Sequence, residues 1–115
     1  MTHTDCLFCK IATGAIPTTR LYENDHILAF PDLNPQAPTH ILIIPKDHLN
    51  SLAEATSTHT EVFGHLLSAV TEVARQQHLD GGYRTVINTG PDGGQTVGHL
   101  HLHLLGGRAM HWPPG

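Results

Sequence analysis

The spacing of apolar and polar positions changes several times along the chain, and each change marks an element. A short helical stretch over residues 7–12 is closed by the turn signal Thr13-Gly14-Ala15-Ile16-Pro17. Residues 20–23 and 27–30 read as two strands joined by the two-residue turn Asn24-Asp25. Asn34-Pro35-Gln36-Ala37-Pro38 reads as a loop, because each proline removes a backbone donor. His40-Ile-Leu-Ile-Ile44 is a continuous apolar run closed by Pro45, the pattern of a central, fully buried strand. Residues 46–53 suit a short helix.

The longest element is a helix. Thr58-x-x-Glu61 has the form of a capping box. Val62, Phe63, Leu66, Leu67, Val70, Val73 and Ala74 then recur at steps of three and four, until Gly81-Gly82 stops the helix. Residues 84–88 form a strand, Gly90-Pro-Asp-Gly-Gly94 a loop, and residues 99–105 the final strand. The pattern predicts an α+β fold: a five-stranded antiparallel sheet with one long and one short helix on one face. A chain of 115 residues fits one domain over 1–115. With 39% apolar residues and one long helix to cover the sheet, more apolar surface needs burial than one protomer offers, so a homodimer is expected.

Charge and composition narrow the function classes. Six Lys and Arg against ten Asp and Glu leave a net charge of −4, without the basic footprint that binds nucleic acid. No apolar stretch approaches the roughly 20 residues of a membrane span, so no membrane partner is expected. The start, Met1-Thr-His-Thr-Asp-Cys6, lacks the basic-then-apolar order of a leader, which predicts a cytoplasmic protein. Histidine is in excess, at 11 residues, and these are spread along the chain. The two cysteines form Cys6-x-x-Cys9, which reads as a metal clip or a redox pair; no βαβ thioredoxin pattern surrounds it.

Alternation along a strand puts His99, His101 and His103 on one face and Leu100, Leu102 and Leu104 on the other. The leucines suit a core. Three imidazoles do not, because each needs partners for two ring nitrogens. His-x-His is a metal-ligand spacing, and equally a nucleophile beside a proton shuttle. The glycine-rich loop just upstream offers backbone N–H groups in a turn, the kind of nest that binds anions, which favours phosphoryl chemistry.

His99-Leu-His-Leu-His-Leu-Leu105 resembles the histidine-triad (HIT) motif. Asp32-Leu-Asn-Pro-Gln-Ala-Pro-Thr-His40, Asn88-Thr-Gly-Pro-Asp-Gly-Gly-Gln95 and Gly106-Gly-Arg-Ala-Met-His-Trp-Pro-Pro-Gly115 are similar to the Hint branch of that superfamily, the nucleoside phosphoramidate hydrolases. The resemblance runs from Cys6 to Gly115 and implies a dimerising HIT-like domain that acts on purine, AMP-type nucleotides. It implies that His101 is the nucleophile, that His103 bonds the phosphate, and that His40 belongs to the same relay. Thr96 stands where Hint-like proteins usually carry serine and would donate to the phosphate or the leaving nitrogen. Asn88 would bond the phosphate or ribose and Asp32 the ribose hydroxyls. Phe8, Ile11, Ile16, Phe30, Leu33 and Leu42 would form the base slot. Gly94, Gln95 and Val97 would complete the nucleotide site, and Trp112 would reach the partner subunit's site. Resemblance to the bacterial zinc-binding type implies a structural zinc held by Cys6, Cys9, His48 and His99. Two other functions fit the same residues: a nucleotide-binding regulatory or interaction protein with incidental hydrolysis, and a metallohydrolase with the triad as its zinc site.

Overall fold

A computed structural model describes residues 5–115. Met1–Thr4, part of the segment on which the leader expectation rests, lie outside the described residues. Strands β1 (Tyr22–Glu23), β2 (Ile27–Pro31), β3 (Thr39–Pro45), β4 (Tyr83–Val86) and β5 (Leu102–Gly106) form one antiparallel sheet in the order β1-β2-β3-β5-β4. Helices α1 (Leu7–Thr13) and α2 (Thr60–Gln76) complete the expected α+β architecture. The apolar run at residues 40–44 is the central strand, β3. No helix among the described residues is long and apolar enough to cross a membrane.

One expectation about the layers fails: the helices lie on opposite faces of the sheet. Ile27, Ala29, Ile41, Ile43, Leu102 and Leu104 pack with Leu66, Ala69, Val70 and Val73 of α2. Leu28, Phe30, Leu42 and Ile44 pack instead with Phe8 and Ile11 of α1. The cause is written in β2 and β3, whose consecutive apolar residues would leave one face in water if only one side were covered. Each such side chain, fully buried, contributes about 1.5–3 kcal/mol.

Local chemistry moves several boundaries. The segment between β3 and α2 holds two 3-10 turns, Leu52–Glu54 and Ser57–His59, in place of a helix over 46–53. The second turn carries the capping box two residues earlier than Thr58 and Glu61 suggest: Thr56 accepts from the Thr58 N–H, and His59 Nδ1 accepts from the Thr56 N–H at 2.9 Å. Along α2, Leu66, Val70, Val73 and Ala74 are buried, whereas Leu67 is 55% exposed. The first hairpin turns on Asp25-His26, one residue later than expected, because Asn24 Oδ1 accepts from both the His26 and Ile27 N–H groups.

Helix α2 ends before the glycines. His78 adopts the left-handed conformation, φ 57°, and the Leu79 N–H donates to the Ala74 carbonyl at 3.0 Å while the His78 N–H donates to Arg75 at 3.1 Å. This is a Schellman motif, which drops Leu79 into the core beside Ala74. A left-handed conformation costs an L-residue roughly 1–2 kcal/mol, and glycine escapes that at some cost in unfolded-state entropy. His78→Gly is therefore expected to stabilise the fold by about 1 kcal/mol. Urea unfolding checks this, and a lower midpoint for the variant would contradict it.

Candidate active site and metal-ligand cluster

The register of β3 against β5 assembles the histidines. Leu42 pairs with His103, and His40 lies two residues back on the same face of β3, diagonal to His103. Their rings meet, with His40 Nε2 2.9 Å from His103 Nδ1. The ladder of β5 starts only at Leu102, so His99 and His101 sit on an incoming segment and not in the strand predicted over 99–105. That segment is held by the Leu100 N–H, which donates to the Leu49 carbonyl at 2.6 Å. Leu100, Leu102 and Leu104 enter the α2 core, as alternation requires. His99 and His101 turn to the α1 side, where the edge of Phe8 meets both rings at centroid distances of 5.9 and 5.2 Å.

Hydrogen bonds fix the tautomer of each imidazole. The Gln36 N–H donates to His40 Nδ1 at 3.0 Å, so a neutral His40 carries its proton on Nε2 and donates it to His103 Nδ1. His103 then keeps its own proton on Nε2. His101 Nδ1 lies 2.7 Å from the His99 carbonyl, which can only accept, so Nδ1–H donates and Nε2 is the lone-pair nitrogen. A lone pair on His101 and an N–H on His103 thus stand side by side, their ring centroids 5.0 Å apart.

Burial disfavours the charged form of His103 and of His40. His103 is pushed down to about 4, chiefly by desolvation, then by its neighbours His101 and His40, against a weaker pull from Asp32. His40 is lowered too, by burial, with Asp32 Oδ2 3.4 Å from its Nε2 opposing.

A pocket of about 460 Å³ opens beside the pair. Phe8, Ile11, Ile16, Phe30 and Leu42 form its apolar floor, and Asp32, His40, Thr96, Val97 and His103 its other walls. Leu33 stands at the rim, 98% exposed. The His101 ring meets two of the lining residues, Phe8 and His103. Leu7, Pro17, Thr18 and Gln36 also line the pocket. No periodic signal marks them, since they reach it through loops and the exposed side of α1.

Two glycine amides of the glycine-rich loop, those of Gly90 and Gly94, are engaged within it. The Gly94 and Gln95 N–H groups donate within the loop, to Pro91 and Gly90, and the Gly90 N–H donates to Gln95 Oε1. Asn88 Nδ2 donates to the Gly93 carbonyl at 2.7 Å, closing the loop from the side. Gly93 is required there because a Cβ would collide with the backbone of Thr89. Asn88, Gly94 and Gln95 therefore shape the segment that delivers Thr96 and Val97 and do not line the pocket. Trp112, 84% exposed, also lies outside it.

A second group of side chains converges behind the triad. One ligand atom each from Cys6, Cys9, His48 and His99 lies within 4.8 Å of all the others. Cys6 Sγ is 3.3 Å from His99 Nδ1, and Cys9 Sγ is 3.3 Å from His48 Nδ1 and 3.5 Å from His99 Nδ1. Sulfur and nitrogen ligands of a tetrahedral zinc stand about 3.6 Å apart, so the donor set fits that ion in type and in spacing. The outer nitrogens are held as ligand histidines require: His99 Nε2–H donates to the Pro45 carbonyl at 2.8 Å and His48 Nε2–H to Asn50 Oδ1 at 2.5 Å, aiming both Nδ1 lone pairs inward. Asp32, His40 and His103 also cluster. There the Gln36 N–H places the His40 proton on Nε2, between the two rings, so the lone pairs do not converge.

Similarity to known proteins agrees with this geometry. The HIT domain model matches residues 13–110. The 14 kDa zinc-binding protein of Zea mays is 57% identical over 111 residues, which cover 95% of this chain and 87% of that protein. Adenylylsulfatase HINT1 of Arabidopsis thaliana is 50% identical over 111 residues, covering 95% and 76%. The crystal structure of a HIT family hydrolase from Legionella pneumophila Philadelphia 1 superposes with a TM-score of 0.94 at 50% identity, covering 96% of this chain and all of that one. From the family match and from identity sustained over nearly the whole length, the chain belongs to the HIT domain family.

Proposed function

We propose that this protein is a nucleotide hydrolase whose substrates are purine nucleoside 5′-phosphoramidates and, by the same chemistry, aminoacyl-adenylates. The observation that carries the reading is the bond from His101 Nδ1–H to the His99 carbonyl, which leaves the lone pair on Nε2, oriented as a nucleophile. His101 Nε2 attacks the α-phosphorus, the P–N bond breaks, and the amine leaves with a proton. Water then attacks the nucleotidyl-histidine, releasing the monophosphate and restoring the imidazole. His103 Nε2–H and the Thr96 hydroxyl donate to the phosphate oxygens as charge develops. The purine occupies the slot over Phe8, Ile11, Phe30 and Leu42, with Asp32 placed for the ribose hydroxyls. The adenylylsulfatase and hydrolase names of the relatives support hydrolysis at an adenylyl group.

Cys6, Cys9, His48 and His99 would hold a structural zinc, a reading supported by the zinc-binding name of the maize relative. Four Cys and His ligands close the sphere, so the ion would pin the start of α1 to the segment bearing His101. A dimer is supported by the open edge of β4 and by exposed Leu67, Tyr83 and Trp112. From charge and composition we expect neither nucleic acid nor membrane as a partner, and we expect cytoplasmic residence.

Replacing His101 by Gly should lower turnover of an adenosine phosphoramidate by at least about 1,000-fold while AMP binding persists. Steady-state kinetics with calorimetry checks this. Tight AMP binding by a wild type without useful turnover would favour a regulatory binding protein instead. Stripping zinc with a chelator should lower the melting temperature but leave kcat in the fraction that stays folded; immediate loss of kcat at unchanged fold would indicate a metallohydrolase. The depressed His103 value sets a pH dependence. Between the ordinary value of 6.5 and about 4, the unfolded chain binds a proton that folded His103 refuses. Stability contributed by neutral His103 is therefore full above that window and is lost as pH falls through it. Melting curves of wild type should fall more steeply over this range than those of His103→Gln, and parallel curves would contradict the assignment.

A further inference from the structure

Asn50 follows His48 by two residues and has no place in the histidine motif, yet it makes four hydrogen bonds that join separate parts of the site. Its Oδ1 accepts from His48 Nε2 at 2.5 Å. Its backbone N–H and Nδ2 donate to the two carboxylate oxygens of Glu54 at 3.1 and 3.2 Å. Its carbonyl accepts from Gln95 Nε2 at 2.7 Å. Gln95 in turn donates to the Val97 carbonyl and accepts from the Gly90 N–H, both at 3.0 Å.

The directions of these bonds form one chain of constraint. A carboxylate only accepts, so Glu54 draws the amide NH₂ of Asn50 to itself and turns Oδ1 toward His48. An amide oxygen only accepts, so His48 carries its proton on Nε2. The Nδ1 lone pair of His48 is thereby aimed at Cys9, as a metal ligand's must be. At the other end, the Asn50 carbonyl holds Gln95, and Gln95 holds the segment that carries Thr96 and Val97 into the nucleotide pocket.

We propose that Asn50, backed by Glu54 and continued by Gln95, is a positioning residue that ties the metal-ligand cluster to the Thr96–Val97 wall of the nucleotide pocket, so that metal and nucleotide strengthen each other's binding. The proposal rests on the nucleotide-binding reading above. Coupling of two sites is reciprocal: whatever factor AMP adds to zinc affinity, zinc adds to AMP affinity.

The test measures zinc affinity by competition with a chromophoric chelator, with and without saturating AMP, on folded protein verified by circular dichroism. In the wild type AMP should raise zinc affinity about fivefold. Asn50→Ala should lower zinc affinity about tenfold without AMP and abolish the AMP effect. Gln95→Ala should keep the AMP-free zinc affinity and lose only the AMP effect, a split that general loosening of the fold would not produce. The double variant N50D with E54Q restores an acceptor toward His48 and a donor between the two side chains, and should recover the coupling. Wild type that binds AMP and zinc independently, full coupling in Asn50→Ala or Gln95→Ala, or a chain that takes up no zinc would overturn the proposal. Failure of the wild type to bind AMP would count against the nucleotide reading alone. In that case, unchanged zinc affinity in Asn50→Ala would overturn the tie, and a tenfold loss would uphold its metal half.

Discussion

The hydrogen bond from the His101 ring to the carbonyl of His99 is the constraint on which the site depends. Without it neither tautomer of His101 is preferred, and its lone pair has no fixed direction. The carbonyl can do this because its own residue is immobilised twice over: His99 is fully buried, its Nε2 bound to the Pro45 carbonyl and its Nδ1 among the cysteines. The backbone that aims the proposed nucleophile is therefore anchored by side chains to which that proposal gives no chemical step. A site on a flexible loop would have to order these groups at each turnover, at a cost in entropy.

The sheet supplies the remaining precision. Strand β3 is buried on both faces, by α2 beneath and by α1 and the pocket above. Its register with β5 sets His40 against His103, and a slip of one residue between the two strands would put them on opposite faces. Of the even-numbered positions of β2 and β3 that pack on α1, Phe30 and Leu42 also form part of the pocket's apolar floor. Fold stability and the base recognition we propose would thus draw on the same side chains, and large changes there would act on both.

Much of this was legible in the chain itself. Period-two alternation at Leu100, Leu102 and Leu104 placed the histidines opposite the core, and the apolar run at residues 40–44 marked the central strand. Where expectation failed, a tertiary partner was responsible. The second helix crossed to the other face because β2 and β3 have two apolar faces to cover. The long helix stopped at His78 because Leu79 gains burial that offsets a left-handed residue. Within the glycine-rich loop, Gln95 and Pro91 engage the Gly90 and Gly94 amides, which the chain pattern did not signal. Asn50 and Gln36 carried no periodic signal: they act through backbone and amide groups presented by loops, and pattern along a chain does not encode such contacts.

The central claim is that a covalent bond forms between His101 and the α-phosphorus. Mixing the protein with an adenosine phosphoramidate labelled at that phosphorus, and quenching within milliseconds, tests it directly. The account predicts a labelled adduct on His101, stable to base and labile to acid, that forms and decays at rates compatible with turnover. Substrate consumed in a single turnover with no labelled histidine at any quench time would contradict it.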